Sequence, residues 1–91
     1  IEVCTTTKTI ADGLRTASLG QRNFAIIKDH VTAIWTVSED EIKAMWRTVM
    51  ERMKLVIEPS SAVAVAAMVK NSEQLRGQRV GVILSGGNFD M

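Results

Sequence analysis

Apolar residues recur every three or four positions between residues 38 and 54, which predicts an amphipathic helix. The apolar stripe consists of Ile42, Met45, Trp46, Val49, Met50 and Met53. At its start, Ser38 and Glu41 have the spacing of a capping box, in which each side chain can accept from the other residue's backbone amide. A shorter helix is predicted for residues 21–30, where Phe24 and Ile27 show the same spacing.

Other segments are apolar without a polar side, which predicts elements that are covered by protein. Pro59 suits the first turn of a helix, and residues 60–70 after it are apolar around most of the helix circumference. We expect a helix buried on all sides, although a chain of 91 residues can hardly cover it, which implies further structure. Residues 31–37 alternate and are rich in β-branched side chains, and residues 78–84 continue without a polar interruption from Val80 onward; both predict strands. Residues 9–20 predict a loop with a short helical turn. The expected fold class is therefore α/β, with a parallel-type sheet and flanking helices.

Length and charge exclude several classes of protein. The chain has 91 residues, which is enough for one domain at most. Its 11 basic and 10 acidic side chains make no positive field for a nucleic-acid polymer or an acidic membrane surface. The longest apolar run, residues 62–69, is too short to span a bilayer. The lone Cys4 excludes an internal disulfide and suits a reducing compartment, so we expect a cytoplasmic protein.

Candidate chemistry is concentrated after the second predicted strand. Residues 80–84 run directly into Ser85, Gly86, Gly87 and Asn88. Glycines allow a sharp turn and a close approach of the backbone to a ligand. The Ser85 hydroxyl is then expected at the carboxyl end of the strand, where open α/β sheets bind ligands. From the residues alone, the alternative is a serine that ends a strand before a plain Gly-Gly turn.

Two upstream motifs accompany this one, Thr9-Ile-Ala-Asp-Gly-Leu14 and Ile57-Glu-Pro-Ser-Ser-Ala62. In this order and spacing, the three resemble the carboxy-terminal part of the fold-type II pyridoxal-phosphate enzymes, specifically the serine racemase and threonine dehydratase family. The resemblance extends from about Thr9 to Met91 and implies a tryptophan-synthase-β-like fold. We therefore expect residues 1–91 to be a single segment, the C-terminal part of the larger pyridoxal-phosphate domain of a longer enzyme.

The resemblance also implies roles for five residues at the cofactor. Ser85 is expected to donate a hydrogen bond to the pyridine nitrogen, while Gly86 and Gly87 let the ring lie close to the backbone. Gly13 is expected to bring its backbone near the cofactor, and Glu58 to lie beside the ring. Two alternatives stay open: Gly13 as an ordinary loop glycine, and Glu58 as an anion satisfied by the first-turn amides of the following helix.

Lys54 and Asn88 match positions that contribute to a nucleotide site in serine racemase-like proteins. The resemblance thus implies ATP and a divalent cation as possible effectors, with no metal ligand in this segment. The alternatives are ordinary ones. A lysine at a helix end is commonly solvated or stabilises the helix dipole, and asparagine is a common turn residue.

No residue of the chain is expected to carry the covalent chemistry. Its lysines, Lys8, Lys28, Lys43, Lys54 and Lys70, all lack the Ser-Phe-Lys-type setting of the family's catalytic lysine. The expected function is serine racemisation, or β-elimination from serine or threonine, with this segment supplying one wall of the cofactor site. The expected partners are a small amino acid, the rest of the polypeptide and further copies in a homo-oligomer. The alternative is a non-catalytic α/β module that binds a ligand or partner through its Gly-Gly turn.

Overall fold

The computed structural model describes residues 8–14 and 18–87. A 3₁₀ turn at Asp12–Leu14 is followed by three α-helices: α1 at Gln21–His30, α2 at Glu39–Thr48 and α3 at Pro59–Lys70. These bounds confirm the helices and the short helical turn predicted from the sequence. Within the described ranges, no helix combines the length and the apolar character that crossing a bilayer requires.

Helix α2 begins with the predicted capping box. The Ser38 hydroxyl accepts from the Glu41 amide at 3.2 Å, and the Glu41 carboxylate accepts from the Ser38 amide at 2.7 Å. The helix continues through a π-helical turn at Val49–Met53. Lys54, with a φ of 59°, then adopts the left-handed conformation and turns the chain into the connector that leads to α3.

The core lies between α2 and α3, which pack against each other. Its buried members are Ile42, Val49, Ile57 and Ala62. Trp46 packs against this cluster, and its indole N–H donates to the carbonyl of Ile57 at 2.7 Å. This bond attaches the connector to α2 and so fixes where α3 begins.

Helix α3 is not buried on all sides within the described part of the chain, as expected for an all-apolar helix that 91 residues can hardly cover. Pro59, Ser61, Ala62 and Ala66 are buried, whereas Val69 is 49% exposed. The physical reason is that α3 packs against α2 and the 3₁₀ turn. Two neighbours on part of its circumference cannot cover a helix that is apolar all around.

The predicted strands at residues 31–37 and 78–84 are also not formed as strands within residues 8–14 and 18–87. A strand acquires its backbone hydrogen bonds from a neighbouring strand, and neither segment pairs with another here. Their apolar side chains accordingly stay accessible, with Ile34 77% and Ile83 84% exposed. The sheet of the expected α/β class is therefore absent from the described residues.

Candidate functional site

Three distant segments meet at the first turn of α3. The loop before α1 contributes Gly13, whose amide donates to the Ser60 hydroxyl at 2.9 Å. The chain beyond residue 84 contributes Ser85, which contacts Ser61. Helix α3 begins here because Pro59 occupies its first turn, where its missing amide hydrogen is not needed. The start of this helix therefore brings both predicted loop segments together in one junction, which includes Gly13, Ser60, Ser61 and Ser85.

Ser61 is the buried polar residue of this junction, with only 5% of its surface exposed. Its hydroxyl accepts from the Ser85 amide at 2.9 Å and donates to the Ser85 carbonyl. The two hydroxyl oxygens of Ser61 and Ser85 are 3.4 Å apart. Ser85 itself is exposed, so its side chain remains accessible at this surface.

Glu58 and Gly86 form the second contact of the junction. Gly86 has a φ of 74°, a conformation that favours glycine. A Cβ at Gly86 would lie 2.5 Å from the Glu58 carboxyl carbon and 2.7 Å and 2.8 Å from its oxygens. Glycine is therefore required here by the backbone conformation, and the absent side chain lets the Glu58 carboxylate pack onto the turn.

One of the two open interpretations of Glu58 is corrected by the structure. Glu58 is the N-cap residue of α3, but its side chain makes no capping hydrogen bond to the first-turn amides. Its backbone carbonyl instead accepts from the Ser61 amide at 3.0 Å. The carboxylate is directed to Gly86, so it is not a helix N-terminal anion held by those amides.

The other two glycines differ in how tightly they are enclosed. A Cβ at Gly13 would lie 2.8 Å from the Ser60 hydroxyl oxygen, so a side chain would disturb the hydrogen bond between these residues. A Cβ at Gly87 would lie 3.5 Å from the Val56 carbonyl, an ordinary contact. The contacts of the described chain therefore explain glycine at position 13, but they do not require it at position 87.

Lys54 lies apart from these contacts, at the end of the π-helical turn. Its ammonium donates to the carbonyl of Glu51 at 2.6 Å, as expected for a lysine that satisfies the last carbonyls of a helix. Asn88 lies outside the described residues. No group of three or more His, Cys, Asp or Glu side chains within the described ranges is placed to hold a metal ion.

Ser60 and Ser61 were missed as functional candidates at the sequence level. The available signal was the pair of adjacent serines directly after the helix-initiating Pro59, since hydroxyls in a first turn commonly bond to backbone groups. Which backbone groups they reach could not be foreseen. Gly13 is 47 residues from Ser60, and Ser85 is 24 residues from Ser61.

The junction has the chemistry that a planar aromatic cofactor needs. The Ser85 hydroxyl can donate to a ring nitrogen, and residues 85–87 are exposed. Gly87 has no side chain to keep a ring away from the backbone, whereas the place of a side chain at Gly86 is taken by the Glu58 carboxylate. These residues therefore fit pyridoxal phosphate, although the assignment of Gly13, Glu58, Ser85, Gly86 and Gly87 as its contacts stays a prediction.

Comparisons with known proteins identify several relatives of this chain. L-threo-3-hydroxyaspartate ammonia-lyase of Saccharomyces cerevisiae is 48% identical over 94% of this chain and 26% of its own length. Serine racemase of Schizosaccharomyces pombe is 44% identical over 94% of the chain and 27% of its own length. The chain thus spans about a quarter of the length of these curated relatives.

The crystal structure of a threonine deaminase from T.th. matches all of this chain with a TM-score of 0.92 and 38% identity, covering 33% of that protein. This match confirms the expected fold class, as part of a fold-type II pyridoxal-phosphate enzyme. Residues 1–86 match the family described as pyridoxal-phosphate dependent enzyme. The chain therefore belongs to the family of pyridoxal-phosphate dependent enzymes.

Proposed function

We propose that this chain is the C-terminal part of the larger cofactor-binding domain of a longer enzyme, which racemises serine or removes water from serine or threonine. The observation that carries the proposal is the junction at the start of α3, where Gly13, Glu58 and Ser85 come together. The relatives support the substrate class. Serine, threonine and 3-hydroxyaspartate, which appear in their names, all carry a hydroxyl on the β-carbon.

When bound, pyridoxal phosphate supplies an electron sink for the electron pair left on the substrate's α-carbon. The residues of this chain would form the surroundings of one side of the cofactor. Ser85 would donate a hydrogen bond to the ring nitrogen and, being a neutral hydroxyl, would leave that nitrogen largely unprotonated. Gly86 keeps the space beside the turn free for the Glu58 carboxylate, which would lie close to the ring of a bound cofactor.

The covalent partner of the cofactor is a lysine outside residues 1–91. Lys54 donates to Glu51, and Lys70 donates to the Thr36 carbonyl and pairs with Glu41 at 3.3 Å. Neither contact is with the junction. Together with the sequence settings of all five lysines, these bonds support a catalytic lysine elsewhere in the longer protein.

The exposed apolar surface supports a longer chain over the alternative of an independent α/β module. Ile34 and Ile83 are more than three-quarters exposed, at 77% and 84%. The radius of gyration is 14.2 Å, against roughly 12 Å expected for a compact domain of this length. Large exposed apolar side chains mark surfaces that contact other protein, and we propose the rest of the polypeptide and further copies of the enzyme as those contacts.

Three expectations remain predictions outside this core proposal. The resemblance implies an ATP effector at Lys54 and Asn88 and a divalent cation effector, and the lone Cys4 suits a cytoplasmic location. The Lys54 bond to Glu51 neither requires nor favours a nucleotide.

The decisive experiment is turnover by the full-length protein with pyridoxal phosphate. We expect L-serine to give D-serine, a keto acid or both, and threonine to give a keto acid. Borohydride reduction followed by peptide mapping should place the cofactor label outside residues 1–91. An absence of turnover with serine, threonine and 3-hydroxyaspartate would refute the activity, and stoichiometric label on Lys54 would refute the position of the catalytic lysine.

A further inference from the structure

Adjacent serines in the first turn of α3 hold different segments of the chain. Ser60 accepts from the Gly13 amide at 2.9 Å, and the side-chain bonds of Ser61 within the described residues are all with Ser85. The two residues therefore connect the loop before α1 and the turn at Ser85 to the same helical turn. Of the two, Ser61 makes the more numerous contacts and is the buried one.

Both backbone polar groups of Ser85 bond to the Ser61 side chain. The Ser85 amide donates to the Ser61 hydroxyl oxygen at 2.9 Å, and the Ser85 carbonyl accepts the Ser61 hydroxyl proton. In a strand these two groups would bond to neighbouring strands, and residues 78–87 form no strand within the described ranges. The position of the Ser85 backbone therefore depends on a single buried hydroxyl.

The proton count of the two hydroxyls decides what Ser85 can still do. A serine hydroxyl has one proton and two lone pairs. Because the Ser61 proton is directed to the Ser85 carbonyl, Ser85 is the only possible donor between the two hydroxyls. Their oxygens are 3.4 Å apart, which is longer than a good O–H···O bond. The Ser85 proton is therefore held at most weakly by Ser61 and can turn to a closer external acceptor.

We propose that Ser61 is a positioning residue for the cofactor, which fixes the Ser85 backbone so that the Ser85 hydroxyl donates to the pyridine nitrogen. This role rests on the proposed function, because it takes pyridoxal phosphate as the acceptor. Ser61 does not touch the cofactor itself. It holds Ser85 through backbone groups and leaves the side-chain proton of Ser85 able to turn to a closer acceptor.

The first test is backbone protection in the full-length protein without cofactor. Ser61→Ala removes the acceptor of the Ser85 amide, so we expect hydrogen exchange at that amide to become at least about tenfold faster, an order-of-magnitude figure for the loss of one hydrogen bond. Ser60→Ala is the matched control, since Ser60 lies in the same turn but bonds to Gly13. It should leave exchange at Ser85 unchanged.

The second test is a double-mutant cycle on the affinity for pyridoxal phosphate. Ser61→Ala should weaken cofactor binding roughly five- to tenfold, as expected for losing one correctly aligned hydrogen bond. In a protein that already carries Ser85→Ala, the same change should have less than about a twofold effect, because the aligned hydroxyl is gone. The pH midpoint of the bound cofactor's absorption should move in the same direction in Ser61→Ala as in Ser85→Ala.

Ser61→Cys keeps a weak donor and acceptor at the same place and should recover part of the cofactor affinity. This recovery would show that the loss of affinity in Ser61→Ala is not a simple folding defect. Cofactor binding and absorption that are unchanged in Ser61→Ala would overturn the positioning role alone. Full additivity of Ser61→Ala and Ser85→Ala would overturn it as well. A wild-type protein that binds no pyridoxal phosphate would overturn the proposed function. The two failures can be told apart, because the hydrogen-exchange experiment tests the bond between Ser61 and Ser85 without cofactor.

Discussion

Replacing Gly86 by alanine tests the contact between the turn and Glu58. Two effects add in Gly86→Ala. The backbone at position 86 has a φ of 74°, which is unfavourable for a residue with a Cβ. The new Cβ would also lie 2.5 Å from the Glu58 carboxyl carbon, so the Glu58 side chain has to move away.

Gly77 provides a matched control for the first effect. Its φ is 78°, nearly the same as at Gly86, and a Cβ there would meet no atom within 4 Å. Gly77→Ala should therefore show the backbone term alone, about 1–2 kcal/mol. The gain from a less flexible unfolded chain is common to both substitutions and cancels in the comparison.

The second effect is the displacement of Glu58. Forcing a side chain from its rotamer costs about 0.5–1.5 kcal/mol, so Gly86→Ala should lower the free energy of unfolding by about 1.5–3.5 kcal/mol in total. The assay is urea denaturation of the full-length protein without cofactor, for both single variants and for each combined with Glu58→Ala. In the Glu58→Ala background, the cost of Gly86→Ala should fall to that of Gly77→Ala.

Cofactor affinity gives an independent readout of the same substitution. Because Glu58 is proposed to lie near the ring, Gly86→Ala should weaken pyridoxal-phosphate binding, while Gly77→Ala should not. Equal costs of unfolding for the two glycine variants, with no effect of Glu58→Ala on their difference, would refute the contact. Equal cofactor affinities would refute the placement of Glu58 in the cofactor site.

Two further predictions concern single groups. Ser85→Ala should slow turnover of the full-length enzyme by roughly 5- to 150-fold, as expected for the loss of one buried hydrogen bond, and it should leave covalent cofactor attachment intact. Steady-state rates and borohydride labelling check these two outcomes. A wild-type rate in Ser85→Ala would mean that Ser85 is only a turn residue. The backbone hydrogen bond from Ser38, with smaller help from the Ser38 hydroxyl and Lys70, holds the pKa of Glu41 below its ordinary value of 4.5. The contribution of the ionised Glu41 to stability should therefore be complete above pH 4.5 and be lost as the pH falls through the lowered folded pKa. Acid unfolding of Glu41→Gln should lack this component. Identical acid-unfolding profiles of Glu41→Gln and the wild type would contradict the prediction.

The elements that could be predicted from the sequence are those whose causes are local. The capping box of Ser38 and Glu41 joins residues three positions apart, and Pro59 marks the start of α3 by its own missing amide hydrogen. The apolar stripe of α2 follows from helix geometry alone. Each of these needs only a few consecutive residues, so no knowledge of the rest of the fold was required.

The strands and the burial of α3 could not be decided in this way. An apolar pattern at residues 31–37 or 78–84 indicates that a segment can be covered and paired, but the covering elements and the partner strands lie elsewhere in a fold. Within the described residues those partners are absent, and Ile34 and Ile83 remain exposed.

The same distinction between local and tertiary causes applies to the candidate site. The motifs around Gly13, Glu58 and Ser85 were visible in the sequence as glycine turns, a Glu-Pro start and a serine after a strand pattern. Only the tertiary structure decided that Ser60 bonds to Gly13 and that Ser61 bonds to Ser85, across separations of 47 and 24 residues. A hydroxyl bonds to whichever backbone group the packing of the helices brings within about 3 Å, and that packing is a property of the whole fold.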